Sequence, residues 1–565
     1  MSFSYLELQG DLIEPSYYSH AYLCFLFKIK KKTHSLIPRL FQLFRPSTKT
    51  TEMAIEVQPS VETIKECIEA NNEKDASINM YPIYAFAPVT SEVNSPYTAY
   101  LKLSNLNDPN RAPSVLLESA RNGNEIDRYS FIGVNPRKII KTGENTEPGP
   151  CDPLVLLEKE MNQYKLAENI PGIPKLSGGA IGYISYDCVQ YFEPTTKRPL
   201  KDVLKVPESA LMLFDDIVAF DHVFQRFQVI SNINTNEYKS VDEGYVAVSK
   251  RIHHIFNTIF RAGQTPQDYE PLQPPIKLDQ TFTSNVGQEG YESHVTTLKE
   301  HIKKGDIIQA VPSQRVARPT SLHPFNLYKQ LRSVNPSPYM FYIDYLDFQI
   351  IGASPELLCS SDTKNKVITH PIAGTIKRGK TLEEDEKLAA ELSSSLKDRA
   401  EHVMLVDLAR NDINRVCDPL TTSVDQLLTV QKFSHVQHLV SVVSGTLRKD
   451  KTRFDAFRSI FPAGTVSGAP KVKAMGLIGE LEKEKRGIYA GAVGHWTYDG
   501  RSMDTCIALR TMVFKEGIAY LQAGGGIVYD SDEYDEYIET MNKMMANHNT
   551  VVQAEKYWAE KVGSA

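Results

Sequence analysis

Ser395-Leu-Lys-Asp-Arg-Ala-Glu-His-Val-Met-Leu-Val-Asp-Leu-Ala-Arg410 decides how the rest of this chain is read. Its apolar residues recur at helical spacing, which predicts a helix around Leu396–Arg410. Asp398 and Glu401 are three residues apart and share a face, and Leu405 and Leu408 continue it. The two acids therefore head an apolar stripe. Downstream, Tyr534-Asp-Glu-Tyr-Ile-Glu-Thr-Met-Asn-Lys-Met-Met545 repeats the arrangement with Glu536 and Glu539, and Lys543 lies on the same side. Strand-like runs precede each helix, Gln349–Ser354 before the first and Ile518–Ala523 before the second. Strands and helices do not alternate strictly, so the class expected is α+β and not a Rossmann-like array.

Outward from this core, the 565 residues offer enough chain for several domains. A 41% apolar and 23% charged composition is that of a globular protein. The net charge of -6 argues against a nucleic-acid surface. Seven cysteines at 24, 67, 151, 188, 359, 417 and 506 form no CxxC, which suits reduced thiols and a cytoplasmic setting. The apolar run at 21–27 is too short to span a membrane, and lysines follow it rather than precede it. Glu7, Asp11 and Glu14 argue against a mitochondrial leader.

Residues 1–52 read as an extension, disordered or artefactual, with Met53 as the natural start. An N-terminal domain is expected over 53–262, strand-like from Tyr81 to about Asn232, with Ala99–Leu103 and Ala180–Tyr186 among its strands and a helical stretch within 233–259. Residues 263–285 hold four prolines and read as a linker. A catalytic domain is expected over 286–555, and a tail over 556–565.

Two facing pairs of buried acids would repel unless a cation lay between them, and a hard divalent ion accepts oxygen ligands. Spacing alone favours the plainer alternative, two salt-bridged surface helices. Ala463-Gly-Thr-Val-Ser-Gly-Ala-Pro-Lys471 and Gln522-Ala-Gly-Gly-Gly-Ile-Val528 can present bare N–H groups to an anion, or can be simple tight turns. Neither fits the Walker or GxGxxG spacing. Arg510 closes the apolar run Cys506-Ile-Ala-Leu-Arg and needs an anionic partner, from substrate or protein. His435 and His438 lie in Phe433-Ser-His-Val-Gln-His-Leu439, where a base or a structural histidine would suit.

Taken in order, several motifs resemble the anthranilate synthase component I family, a branch of the chorismate-utilising enzymes, in its fungal form. They are Gly305-Asp-Ile-Ile-Gln-Ala-Val-Pro-Ser-Gln-Arg315, Gly352-Ala-Ser-Pro-Glu356, Pro371-Ile-Ala-Gly-Thr375, Arg399 to Asp412, Gly464-Thr-Val-Ser-Gly-Ala-Pro-Lys471 and Asp504-Thr-Cys-Ile-Ala-Leu-Arg510. The resemblance spans about residues 81–555. It implies two intertwined, sandwich-like β-rich subdomains with helices packed outside. It also implies Mg2+ bound by Glu401 and Glu539, with Asp398 and Glu536 acting through water, although the family usually carries Glu at position 398. Chorismate would meet Gly374, Thr375, Tyr489, Arg510, Gly524, Gly525 and Gly526. Thr465 would lie near the enolpyruvyl group, and His438 would be the base of the second half-reaction. The Tyr489–Arg510 spacing is one residue longer than in many bacterial members, and the turn Tyr498-Asp-Gly-Arg-Ser502 absorbs it.

The resemblance also sorts the branches. Relatives that use water carry Lys where this chain has Gln309, and many aminodeoxychorismate synthases carry Lys where it has Ala373. Both differences favour ammonia as nucleophile and anthranilate plus pyruvate as products, through an aminodeoxyisochorismate intermediate. Leu116-Leu-Glu-Ser-Ala120 and Asn335-Pro-Ser-Pro-Tyr-Met-Phe-Tyr342 resemble a tryptophan feedback site, with Ser119, Pro338, Tyr339 and Met340 as binding residues. No cysteine sits in a glutaminase-type elbow, so a glutamine amidotransferase partner is expected to supply ammonia. The competing readings are aminodeoxychorismate synthase component I and a catalytically dead tryptophan sensor.

Overall fold

The computed structural model describes residues 55–89, 95–119, 128–168, 170–261, 265–433 and 436–563. The expectation for residues 1–52, and with it His435, lies outside them. Residues 54–565 form one compact unit.

Two large antiparallel sheets make the frame. The first has eleven strands, in the order Met80–Pro88, Arg226–Asn234, Asp216–Asp221, Tyr129–Val134, Ser114–Glu118, Tyr339–Asp344, Gln349–Ser354, Thr511–Lys515, Ile518–Gly524, Ser313–Pro319 and Thr283–Ser284. The second runs Ile372–Lys377, Val436–Thr446, Lys366–Thr369, Leu357–Ser361, Met503–Ile507, Ala492–Thr497, Gly179–Ile184, Ser209–Phe214 and Lys138–Thr142, with Ser423–Lys432 also paired to Val436–Thr446. Each sheet takes strands from both sides of 263–285, so the halves are intertwined as expected. The proline-rich stretch itself is tied in: Ile276 is buried and its N–H donates to the Gly563 carbonyl.

The inner faces of the sheets meet in a core that includes Val115, Ile343, Ile350 and Val513 from the first and Ile181, Met212, Val493 and Cys506 from the second. Each such side chain contributes about 1.5–3 kcal/mol by leaving water. The other face of the second sheet is covered in part by the helices Leu396–Asn414 and Arg453–Ile460, and Glu533–Val562 packs on Ile518–Gly524. This last helix runs through the segment expected to be a tail.

A second element also differs from its sequence reading. Ala99–Leu103, expected as a strand, lies in the helix Pro96–Ser104. Ser95 caps it by accepting from the Thr98 N–H, Thr98 returns the bond to the Ser95 N–H, and Pro96 fills the first turn. A capping box and an N-terminal proline outweigh the β propensity of Tyr and Leu.

Candidate active site

The two acidic helices bring their carboxylates up to both sheets, Asp398 beside Gly374 within the strand Ile372–Lys377 and Glu536 beside Gly525 just past the strand Ile518–Gly524. Ser395 caps Leu396–Asn414, and its hydroxyl also bonds the Asp398 carboxylate. One turn on, Glu401 Oε1 accepts from Gln309 Nε2 at 2.8 Å. Burial lifts the Glu401 pKa, with Glu539 and Asp398 adding to the rise, while Gln309 and Lys543 oppose it. On the second helix, Glu536 is 8% exposed. Its Oε1 accepts from Ser531 Oγ at 2.6 Å, and its Oε2 has no partner. Burial raises its pKa as well, with Glu539 adding. Glu539 pairs with Lys543 at 2.7 Å, and Lys543 also donates to the Gly524 carbonyl at 2.9 Å.

Lys543 thus faces several carboxylates, and Lys397 acts on Glu536 as well. Among the described residues no three Asp, Glu, His or Cys side chains already stand as a metal-ligand group. An all-oxygen donor set, an orphaned carboxylate oxygen and carboxylates that raise one another nonetheless suit a small divalent cation.

Gly524, Gly525 and Gly526 close the strand Ile518–Gly524 beside these acids. A Cβ on Gly525 would lie 2.9 Å from Glu536 Oε2, and one on Gly526 would lie 2.3 Å from Gln309 Nε2. The chain can approach the carboxylates this closely only without side chains. The Gly525 N–H donates to the Tyr291 hydroxyl at 3.2 Å.

His438 is placed by a bulge. Ala373 pairs with Leu439 and Thr375 with His438, leaving Gly374 as the extra residue at φ 71°. That conformation favours glycine, and bulges often re-aim side chains beside active sites. The Gly374 carbonyl, 3.0 Å from His438 Nδ1, can only accept. Nδ1 therefore carries the proton and Nε2 keeps its lone pair. Thr375 Oγ1 lies 3.1 Å from the same nitrogen. Burial pushes the His438 pKa down to about 4, so the ring is neutral at pH 7. A Cβ on Gly374 would lie 3.1 Å from Asp398 Oδ1, which joins the histidine to the acidic helix.

Arg510 follows the strand Met503–Ile507 at φ 47°. Burial lowers its pKa, and Glu356 beside it opposes the shift. Glu356 carried no role in the sequence reading, although it ends the quoted Gly352–Glu356 motif. It is 5% exposed, accepts from Thr465 Oγ1 at 3.1 Å, and burial raises its pKa to about 8. A carboxylic acid that stays protonated at pH 7 beside a buried arginine can donate a proton. The signal available in sequence was an acid directly after an apolar strand. Tyr489 is 7% exposed with its pKa raised to about 12 by burial, and its hydroxyl oxygen would stand 3.1 Å from a Cβ on Gly524.

The structure brings the expected tryptophan residues together at one end of a strand pair in the first sheet. Met340 pairs with Glu118, which sets Tyr339 and Pro338 beside Ser119. The Tyr339 hydroxyl donates to Asp504 at 3.1 Å. Asp504 was also missed as a contact, since nothing local marks it; burial raises its pKa to about 6.

The family model described as chorismate binding enzyme matches residues 112–548. Anthranilate synthase component 1 of Saccharomyces cerevisiae is 72% identical over 512 residues, covering 91% of this chain and 99% of the relative. The probable anthranilate synthase component 1 of Schizosaccharomyces pombe is 53% identical, covering 90% and 100%. Among solved structures, anthranilate synthase component I from Streptococcus pneumoniae superposes with a TM-score of 0.66 at 35% identity, covering 82% of this chain and 99% of that one.

Proposed function

The chain belongs to the chorismate-binding enzyme family, and on that footing we propose that it converts chorismate and ammonia to anthranilate, pyruvate and water. The single observation that supports this beyond family membership is the placing of two buried groups: His438, whose Nδ1 is held by the Gly374 carbonyl so that Nε2 is left as a base, and Glu356, held by Thr465 beside Arg510, where burial favours the protonated acid.

Arg510 and Tyr489 hold the enolpyruvyl carboxylate. Ammonia forms its bond at ring carbon 2 while the carbon 4–oxygen bond breaks, and Glu356 gives its proton to the departing hydroxyl, which leaves as water. Thr465 keeps the Glu356 carboxyl aimed. The amino intermediate then loses its carbon 2 proton to His438 Nε2. The bond between ring carbon 3 and the enolpyruvyl oxygen breaks, the ring becomes aromatic, and the released enolpyruvate takes up a proton at its methylene carbon to leave as pyruvate. Gln309 has no basic atom to activate water and instead holds Glu401. Mg2+ held by Glu401 and Glu539, with Asp398 and Glu536 acting through water, would supply the positive charge for the ring carboxylate. Gly374, Thr375 and the Gly524–Gly526 backbone form the walls.

Ammonia comes in this reading from a glutaminase partner in the cytoplasm. The component 1 naming of the relatives and the six free cysteines among the described residues support that setting. Tryptophan binding at Ser119, Pro338, Tyr339 and Met340 would restrain the enzyme.

Incubation of the chain with chorismate, magnesium and ammonium, followed by fluorescence, tests the reading. Anthranilate should appear; a non-aromatic amino product alone, or no product, would overturn it.

A further inference from the structure

Glu356 must regain a proton after every turnover. It gives one to the departing hydroxyl, yet it is 5% exposed. Its immediate partners cannot restore that proton. Thr465 Oγ1 donates to its Oε1 at 3.1 Å, and the Ile372 N–H also acts on the carboxyl, but neither group titrates near neutral pH. Arg510, beside it, does not deprotonate in proteins.

A cavity of about 20 Å³ lies against Glu356, walled by residues 369–371, residues 463–465 and the helix Leu396–Asn414. About 10–15 Å³ is room enough for one water molecule. His370 lines the same cavity, and in contrast to Glu356 it is part-exposed. Thr369 Oγ1 donates to the Leu358 carbonyl at 2.7 Å, which ties the residue before His370 to the strand that follows Glu356.

The His370 ring is free to act. It has no hydrogen bond or ion pair among the described residues, and burial alone lowers its pKa, to about 4. Among those residues, the histidine nitrogens buried without a partner belong to His294, His402 and His548, so both His370 nitrogens stay open to water. At pH 7 one of them carries a proton and the other a lone pair. The remaining titratable group of the wall, Asp412, is occupied, since Lys471 holds it at 2.6 Å.

We propose that His370 returns the proton to Glu356 through one water molecule held in this cavity. The water gives a hydrogen to the Glu356 carboxylate and takes one from the protonated nitrogen of His370. The other ring nitrogen takes a proton from solvent, so one solvent proton replaces the one lost with the hydroxyl. The ring ends as its other tautomer, and a half-turn or exchange with solvent restores the first. Glu356, His370 and the Thr465 hydroxyl give the water three partners, the usual number for buried water. This relay rests on the proposed function, which sets Glu356 as the acid.

Rapid mixing of the full chain with magnesium, ammonium and saturating chorismate, read by anthranilate fluorescence, tests it. In His370→Ala the first turnover should run at the wild-type rate, because Glu356 begins protonated. A burst of about one anthranilate per chain should then give way to a steady state about a hundredfold slower, the lower end of what a positioned proton carrier contributes. For chorismate, kcat and KM should fall together and leave kcat/KM unchanged. Added imidazole should restore kcat, since the alanine leaves the space of the lost ring, and should not change the wild type. His370→Gln keeps the bulk of the side chain but cannot relay, and should show the same burst. Ala409→Leu fills the cavity from the helix with His370 in place. It should burst as well, without rescue by imidazole. Undiminished kcat in these variants, a fall in kcat/KM without a burst, or no rescue of His370→Ala would overturn the relay alone. A wild type that forms no anthranilate would refute the proposed function and the relay with it.

Discussion

Replacing Glu356 by Gln should move stability and catalysis in opposite directions. Glutamine keeps an oxygen to accept from Thr465 and puts an N–H where the protonated acid has its O–H. In the wild type, burial raises the Glu356 pKa from 4.5 to about 8. The folded state therefore holds a proton that the unfolded chain releases above pH 4.5. Stability on this account is intact below pH 4.5 and is lost as pH rises towards 8. At pH 7 the gap of about 2.5 pH units corresponds to about 3 kcal/mol, approaching 5 kcal/mol above pH 8. The variant cannot ionise, so its urea midpoint should stay flat where the wild type declines. The first half-reaction should meanwhile fall about a hundredfold to ten-thousandfold, the usual share of a general acid. The basic limb near pH 8 in the rate profile should also vanish. Parallel stability curves for the two proteins between pH 5 and 8 would show that Glu356 is not held protonated. Undiminished turnover would remove it from the chemistry.

His438→Ala should release the amino intermediate in place of anthranilate, detectable by chromatography of the product mixture; full anthranilate output would refute the base assignment. With the His438 pKa near 4, its base role should impose no loss of rate from pH 8 down to about 5 and a tenfold loss per pH unit below about 4. Gly526→Ala drives a methyl onto Gln309 Nε2 and towards Glu401 Oε1, 3.4 Å away. Losing that charge-assisted bond, worth about 1.5–3 kcal/mol, should lower kcat/KM about tenfold to a hundredfold, and an unaltered value would exclude the pair from the site. Ser119→Leu should abolish inhibition by tryptophan in the anthranilate assay while uninhibited turnover persists; retained inhibition would place the effector elsewhere.

The acidic helices were legible because period 3.6 places Asp398 with Glu401 and Glu536 with Glu539 whatever surrounds them. What they face was not legible. Gln309 and Glu401 are 92 positions apart, and no local pattern joins them. The Gly374 bulge was equally hidden, since a glycine in a strand-like run shows neither its sign of φ nor which partner residue it skips. Glu356 could be seen as an acid after an apolar strand, but its protonation depends on burial by the Thr465 turn, more than a hundred residues on. The Ala99–Leu103 error has a different origin. There the deciding information was local, in Ser95, Pro96 and Thr98, and the cap was stronger evidence than the apolar run it preceded.

The interleaved strands bear on how the two proposed sites communicate. Asp504 receives the Tyr339 hydroxyl across the sandwich and lies on Met503–Ile507, a strand that ends three residues before the left-handed Arg510. That strand is paired on both edges, to Leu357–Ser361 and to Ala492–Thr497. The first neighbour begins beside Glu356, and the second follows Tyr489 by three residues. A strand paired on both edges and close-packed on its face shifts as a unit rather than bending at one residue. Tryptophan seated against Tyr339 would therefore disturb Asp504 together with the strands that carry Arg510, Glu356 and Tyr489. Reciprocity then requires that chorismate held by Arg510 and Tyr489 weaken tryptophan binding by the same factor.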